Sequence, residues 1–233
     1  MKIAVFGLPD FPLGKKIISD ERVDKLKEMT RPAKTTYISL DVAGEENLKD
    51  ADGIIALNSK KTDLALLDLE LIENRIARGS EGEEKDFLIR AQAELEKETL
   101  INELNLTDSE KKIINNLGFV TAKPVLFLTE EESREAPAAL AKIYTLMGMI
   151  AFFTAGGLKE ARAWPIKKGT IAVEAAGVIH SDIQRGFIKA EVIAYEDIVK
   201  FGGVNQAKNQ AMHLEDKEYI VKDGDVLSFR FNV

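Results

Sequence analysis

Short apolar runs punctuate the first two thirds of the chain, and each has the length of one strand. Lys2–Phe6, Gly53–Leu57 and Pro124–Leu128 are almost wholly apolar, as buried strands are. Tyr37–Leu40 predicts a further strand, which ends at Asp41. The pattern predicts an α/β sheet within residues 1–150.

Between the last two of these strands lies a region rich in helix formers. Asp63–Arg78 repeats its apolar residues at helical spacing, and Glu83–Asn105 does so amid alternating charge. Thr107 and Glu110 form a capping box for one more helix. We expect a helical hairpin insertion over about residues 63–117. Two interpretations stay open: a solvated pair that buries the sheet edge, or an arm that binds a protein partner.

The last third, residues 151–233, has a different pattern. Two strands joined at Gly156-Gly157 precede a short helix, and Phe187–Ala194 is apolar and β-branched like a central strand. Asp223-Gly224 between two further apolar runs predicts a hairpin. The elements together predict a small mixed sheet packed on one helix, which is a β-grasp domain.

Charge and composition narrow the function classes. The net charge is −7, and residues 1–150 carry the whole acidic excess because residues 151–233 hold 11 Lys/Arg and 11 Asp/Glu. RNA binding therefore needs a local basic patch. With no cysteine and two histidines, we expect no metal centre. No apolar run approaches a membrane span, so we expect a cytoplasmic protein without membrane contact.

The segment after the first strand carries an imperfect phosphate-loop pattern. A working loop needs G-x-x-x-x-G-K-[ST], so that backbone N–H groups surround a phosphate and a hydroxyl binds Mg²⁺. Here six residues separate Gly7 from Gly14, two of them prolines, and Lys15 is followed by Lys16 where the hydroxyl residue is needed. The pattern indicates a lost phosphate loop.

Several stretches together resemble one family. AFFTAGG, EARAWPIKKGT, AAGVIHSDIQRGFIKAEVIAY and DGDVLSFRFNV are similar to the TGS module that closes the YchF/Obg-like P-loop GTPases. IAVFGLP and residues 19–44 resemble two separate parts of the GTPase domain of that family. The resemblance implies a truncated GTPase-like domain over residues 1–150, followed by a TGS domain over residues 151–233.

The resemblance also marks where nucleotide chemistry is changed. Asp41 and Gly44 fit the family's D-x-x-G motif, which holds Mg²⁺ and senses the γ-phosphate. The loop after Pro124–Leu128 lacks the asparagine that reads the purine base in the family, and carries a row of glutamates instead. We therefore expect a non-catalytic homologue that has lost nucleotide binding and has no cofactor.

The alternative keeps the nucleotide. In that interpretation Gly7, Gly14, Lys15 and Lys16 wrap the phosphates, and Asp41 with Gly44 completes a weak ATPase or GTPase that takes Mg-ATP or Mg-GTP. Replacing Lys15 and Lys16 distinguishes the two hypotheses, since nucleotide binding depends on them in one alone.

The candidate binding residues for RNA lie in the last third. Related TGS modules contact RNA near the position of His180, so the resemblance implies either a contact there or, in the alternative, a helix C-terminal residue that the helix dipole favours. Trp164 is either a base-stacking residue or part of the core. The expected partners are the ribosome, tRNA or another RNA, and a protein on the helical arm. The cations that we expect to accompany His180 are Arg162, Lys167, Lys168, Arg185 and Lys189.

Overall fold

The structure, a computed structural model, describes residues 1–155 and 159–232. The strands are β1 (Lys2–Phe6), β2 (Gly14–Ile17), β3 (Lys34–Thr36), β4 (Ser39–Ala43), β5 (Gly53–Leu57), β6 (Val125–Leu128), β7 (Met149–Thr154), β8 (Glu160–Lys167), β9 (Phe187–Ala194), β10 (His213–Glu215) and β11 (Asp225–Phe231). The α-helices are α1 (Glu21–Thr30), α2 (Lys61–Ala77), α3 (Gly82–Leu95), α4 (Asp108–Leu117), α5 (Glu130–Ser133), α6 (Ala136–Leu146), α7 (Ala172–Ile179), α8 (Ser181–Arg185), α9 (Tyr195–Phe201) and α10 (Val204–Ala211). Short 3₁₀ helices occupy Glu45–Asp50, Asn58–Lys60 and Ile101–Glu103.

The first compact unit consists of residues 1–16 and 40–147. Its sheet has the order β2-β4-β1-β5-β6, and the pairs β4-β1, β1-β5 and β5-β6 are parallel. Successive side chains of a strand point to opposite faces, and both faces of β5 are covered. Ile54 and Ala56 join the core formed with α2, α3 and α4, whereas a Cβ at Gly53 would touch Met147 on the opposite face.

The helical insertion is part of this core. Leu64, Ile72, Phe87 and Leu88 are almost fully buried together with residues of β1 and β5. Thr107 and Glu110 form the expected capping box at the start of α4. The helices therefore cover one face of the sheet, which favours the interpretation that they are structural.

The second compact unit consists of residues 17–39 and 148–232. Its sheet has the order β10-β9-β11-β7-β8-β3, in which β9 pairs antiparallel with both neighbours and β7 runs parallel to β11. One face packs on α7 through Phe152 and Leu227. The other face carries Phe153, whose ring lies 5.0 Å from the Arg22 guanidinium of α1. The fold is mixed α/β, as the sequence predicts.

The division between the units differs from the expected boundary at residue 150. Residues 17–39 pack with the C-terminal sheet, because α1 buries Val23 and Leu26 and β3 pairs in parallel with β8. Local sequence does not show this, since the partners are more than a hundred residues away.

One local expectation needs correction. Asp223-Gly224 forms a turn, but the segment before it contributes a single bridge, Ile171 to Ile220, and no hairpin strand. A contact with β7 holds the turn instead, because Asp223 Oδ1 accepts the N–H of Ala151 at 2.8 Å. The expected turn at Gly156-Gly157 lies outside the described residues.

Among the described helices, none combines the length and hydropathy that a membrane span needs.

Candidate functional site

The carboxyl ends of the parallel strands in the first unit form the clearest site. β4 lies on one side of β1 and β5 on the other, so the chain changes direction across the sheet at β1. Open α/β sheets bind ligands in the crevice outside such a switch point. A cavity of about 440 Å³ lies there, within the size range of small-molecule sites. Its lining is Gly7, Leu8, Pro9, Asp10, Phe11, Pro12, Leu57, Glu130, Ser133, Arg134 and Ala136.

Gly7 ends β1 in a conformation that suits glycine. Its φ is +68°, and a Cβ would lie 2.5 Å from Cγ of Lys60. Its N–H donates to Oε1 of Glu45 at 2.7 Å. Lys60 in turn pairs with Asp63 at 2.6 Å, which raises the pKa of Lys60, and the charge of Glu45 adds to this shift. A backbone donor, a carboxylate and an ammonium group thus meet at the end of β1.

The loop after Gly7 is a tight turn and not a phosphate loop followed by a helix. Phe11 donates its N–H to the carbonyl of Leu8 at 3.1 Å, and both side chains are buried. Pro9 and Pro12 supply no N–H. The loop therefore anchors itself through apolar contacts and presents few donors to the cavity.

Most residues of the nucleotide hypothesis lie elsewhere in the first unit. Gly14, Lys15 and Lys16 belong to β2 at the edge of the sheet and do not line the cavity. Asp41 lies inside β4, because the strand continues to Ala43 in register with β1. Asp41 is thus an exposed strand residue and not the first residue of a loop. Gly44 immediately precedes Glu45, whose carboxylate accepts the N–H of Gly7. Gly44 therefore lies near the end of β1.

The loop between β6 and α6 forms the opposite wall. Thr129 caps α5 by accepting the N–H of Glu132 at 3.2 Å and donating its own N–H to Glu132 Oε2 at 3.0 Å. These backbone bonds, with Lys142, hold the pKa of Glu132 below its ordinary value. Glu130 and Arg134 face the cavity, and Arg134 is the one cation among its described lining residues.

Sequence reasoning missed Arg134 and Lys60, and it did not place Glu45 beside Gly7. Arg134 follows the carboxyl end of β6 directly after the one-turn helix α5. That position in a parallel sheet is a usable signal, because the carboxyl ends of strands meet at one edge.

The acidic side chains limit how a metal can bind. The described residues contain no group of three or more acidic or histidine side chains that could hold a metal ion. Mg²⁺ usually takes one or two carboxylates together with phosphate oxygens and water. Asp10 and Glu130, both in the lining, are carboxylates suited to that limited role. The residues therefore fit a metal that arrives with a phosphate ligand.

The six candidate RNA-binding residues of the second unit do not form one strip. His180 caps α8, with Nδ1 accepting the N–H of Asp182 at 3.1 Å, and Arg185 pairs with the same Asp182 at 2.8 Å. These two lie together at one end of α7. Lys167 and Lys168 precede the opposite end of α7. Lys189, on β9, pairs with Asp216, which follows β10. Arg162 lies on β8, with its guanidinium 3.7 Å from the ring of Trp164.

Comparison with known proteins gives the family. Residues 149–232 match the family described as YchF-GTPase_C, protein of unknown function (DUF933). The ribosome-binding ATPase YchF of Bacillus subtilis (strain 168) is 31% identical over 288 residues, which cover 95% of this chain and 77% of that protein. The chain belongs to the YchF family. The ribosome-binding ATPase YchF of Haemophilus influenzae is also 31% identical, with the same coverage.

A solved YchF structure has the same fold. The Schizosaccharomyces pombe YchF GTPase superposes with a TM-score of 0.79 at 20% identity, covering 99% of this chain and 97% of that one. At that identity the likeness concerns the fold, which is the mixed α/β architecture described above.

The YchF comparison contradicts the expectation of a non-catalytic homologue that has lost nucleotide binding. The relatives that match 95% of the chain are named ribosome-binding ATPases, and the matched solved structure is named a GTPase. The expectation of no cofactor loses its support in the same way. It rested on the altered loop after β1 and on the missing asparagine in the loop after β6.

Proposed function

We propose that this YchF-family chain binds ATP or GTP with Mg²⁺ at the carboxyl edge of its parallel sheet, hydrolyses it slowly, and associates with the ribosome. The observation that carries the nucleotide part is the cavity at the switch point, bounded by Gly7 on one side and Arg134 on the other. The names of the matched relatives support both parts.

The lining suits the two halves of a nucleotide. Leu8, Leu57 and Ala136 provide an apolar surface for a base or ribose. Arg134 supplies a planar guanidinium, which pairs with phosphate through two parallel N–H bonds. Asp10 or Glu130 completes the shell of a Mg²⁺ ion that the phosphates carry.

Binding and turnover are expected to be weak. A phosphate loop surrounds its ligand with several N–H groups and a lysine, and phosphoryl transfer depends on such positioning. Here the loop after β1 contains two prolines, and the N–H of Gly7 already donates to Glu45. In this proposal the first unit is a shortened GTPase-like domain with a phosphate loop that offers few donors.

Calorimetric titration of the nucleotide-stripped protein with Mg-ATP and Mg-GTP tests this proposal, followed by a phosphate-release assay. Binding in the micromolar to submillimolar range supports the nucleotide part. No heat up to millimolar nucleotide contradicts it. The Lys15→Ala, Lys16→Ala double variant is the control, because the structure places both residues outside the cavity.

The second unit is proposed as a TGS-like β-grasp module that carries the ribosome contact. Its sheet packs on the single helix α7 on one face, as the sequence pattern predicts for a β-grasp. His180, the N-cap of α8, and Arg185, its last residue, are both exposed and both contact Asp182, which supports a small RNA contact there. Ribosomes place such a protein in the cytoplasm. Contacts with tRNA, and with a protein partner on the α2–α3 hairpin, stay predictions.

Co-sedimentation with ribosomes at low salt tests this second part. Recovery of the protein in the ribosomal pellet supports it, and recovery should decline as salt rises because phosphate contacts release counterions. A protein that stays in the supernatant at every salt concentration contradicts it.

A further inference from the structure

Lys60 lies against the end of β1, although it belongs to the segment that follows β5. A Cβ at Gly7 would lie 2.5 Å from Cγ, 3.3 Å from Cβ and 3.5 Å from Cδ of Lys60, so the apolar stem of the lysine crosses the Gly7 backbone. Gly7 lines the cavity at the switch point. The lysine side chain therefore lies beside the proposed nucleotide site, on a residue that forms its wall.

The ammonium group of Lys60 is held by a weak contact. Its Nζ donates to Oδ2 of Asp63 at 2.6 Å, and the two side chains are 45% and 47% exposed. An exposed ion pair of this kind contributes little to stability, because water competes for both charges. The flexible four-carbon stem of a lysine lets the ammonium group leave Asp63 for a more highly charged anion.

Glu45 links the same lysine to the end of β1. The hydrogen bond and the charge of Asp63 raise the pKa of Lys60, and the charge of Glu45 adds to that shift, so Glu45 lies within electrostatic range of the ammonium group. Glu45 also accepts the Gly7 N–H at 2.7 Å. A backbone N–H and an ammonium group thus both act on one carboxylate here, and these are the two kinds of donor that a phosphate loop offers to phosphate.

We propose that Lys60 binds the terminal phosphates of the nucleotide, the role that the loop lysine has in a working phosphate loop. Lys15 is not placed for that role, because it lies on β2 and does not line the cavity. The carboxyl ends of β1 and β5 meet at one edge of the parallel sheet, so a lysine after β5 approaches the same site from the neighbouring strand. On binding, phosphate oxygens replace Asp63 as acceptors of the ammonium group. The inference rests on the proposed nucleotide binding and adds a residue that the cavity lining does not contain.

Calorimetry of the intact chain with Mg-ATP and with AMP tests this inference. Lys60→Met keeps an apolar stem against Gly7 and removes the charge. It should weaken Mg-ATP binding about ten-fold, the effect of losing one charged hydrogen bond, and AMP binding less than about two-fold, because AMP lacks the terminal phosphates. Lys60→Arg should stay within about three-fold of wild type for Mg-ATP, since it restores the cation. A purely structural role would weaken the binding of both ligands alike.

Lys61→Met is the matched control. Lys61 is the next residue along the chain, and its Nζ lies 5.9 Å from the centroid of the Phe127 ring. It should bind Mg-ATP within about two-fold of wild type, because its ammonium group lies over another side chain. Far-UV circular dichroism shows whether each variant is folded.

Asp63→Asn gives an independent measurement. It frees Lys60 from its present partner, so the affinity for Mg-ATP should rise about two- to three-fold. In the Lys60→Met background the same change should have little effect, since the effects of two residues in contact are not additive. An equal gain in both backgrounds would show that the charge of Asp63 acts without Lys60, and it would overturn the inference.

The outcomes separate this inference from the proposed function. If Lys60→Met leaves Mg-ATP binding unchanged, or weakens it no more than AMP binding, the role of Lys60 is overturned and nucleotide binding stands. Absence of Mg-ATP binding by the wild-type protein overturns both.

Discussion

The backbone N–H of Gly7 donates to the carboxylate of Glu45 at 2.7 Å, at the point where β1 ends. In the proposed nucleotide site, this N–H would serve as a donor to a phosphate bound at the end of β1. The proposal therefore requires an anionic ligand to displace the Glu45 carboxylate from the Gly7 N–H.

Glu45→Ala is expected to raise affinity for Mg-ATP about three- to ten-fold, because it removes a like charge and releases the Gly7 donor. Calorimetry measures the effect. Glu46→Ala is the matched control: its carboxylate is also exposed but bonds Asn47 and not Gly7. Equal affinities for wild type and Glu45→Ala would show that Glu45 does not compete with the ligand.

Arg134→Ala is expected to lower nucleotide affinity about ten-fold or more, because it removes the one cation among the described lining residues. Arg78→Ala, an exposed arginine of the same unit at the end of α2, should leave affinity unchanged. The same titration checks both variants. A loss of affinity in Arg78→Ala equal to that in Arg134→Ala would indicate general electrostatics and not a defined site.

Asp68 is a buried carboxylate that fixes the segment before β6. It accepts the N–H groups of Val120 at 2.9 Å and Thr121 at 2.7 Å, and the Thr121 hydroxyl at 2.6 Å. Asp68→Ala should lower the free energy of unfolding of the first unit by about 2–4 kcal/mol, because three buried donors lose their acceptor. Amide exchange of β5 and β6 measures this.

Glu70→Ala is the control for Asp68→Ala, since Glu70 lies on the same helix α2 with an exposed side chain. It should change the unfolding free energy by less than about 0.5 kcal/mol. Protection of β5 that is identical in wild type and Asp68→Ala would contradict the structural role.

Glu191 gives the second unit a pH-dependent contribution. Hydrogen bonds from Lys208 at 2.7 Å and Arg230 at 2.6 Å lower its pKa below the ordinary 4.5. A carboxyl whose pKa falls on folding stabilises the fold above its unfolded pKa, and that stability is lost as pH falls through the lowered value. Glu191→Gln should therefore cost about 1–2 kcal/mol at pH 7, and the difference should vanish on acidification.

Amide exchange of β9 and β11 at pH 7 and at pH values below 4.5 measures this difference. Burial raises the pKa values of Asp68 and Asp225, so their contributions to stability change with pH in the direction opposite to that of Glu191. Both residues are present in wild type and variant, so their contributions cancel in the difference. Glu218→Gln, an exposed carboxylate on the same unit, is the control. A constant wild-type-to-variant difference across the pH range would contradict the account.

The sequence predicts the strands whose residues are apolar throughout. β5 and β9 have the predicted bounds, and β6 begins one residue after the predicted start. It does not predict where polar strands end: Asp41 lies within β4 because pairing of Ala43 with Ala4 extends the strand. Such pairing depends on the neighbouring strand and not on local propensity.

The candidate site is only partly visible in the sequence for a related reason. Gly7 is visible as a glycine at a strand end. Its contacts with Glu45 and Lys60 join positions 38 and 53 residues away, which no short motif records. Arg134 reaches the same cavity because β6 and β1 lie in one parallel sheet. The sheet order, more than any motif, assembles this site.

The most direct test of the nucleotide proposal is a crystal structure of the protein grown with a slowly hydrolysed ATP analogue and Mg²⁺. The account predicts electron density in the cavity at the end of β1, with a phosphate against Arg134 and the Glu45 carboxylate moved from the Gly7 N–H. An empty cavity at saturating analogue, or nucleotide bound along β2 beside Lys15, would contradict it.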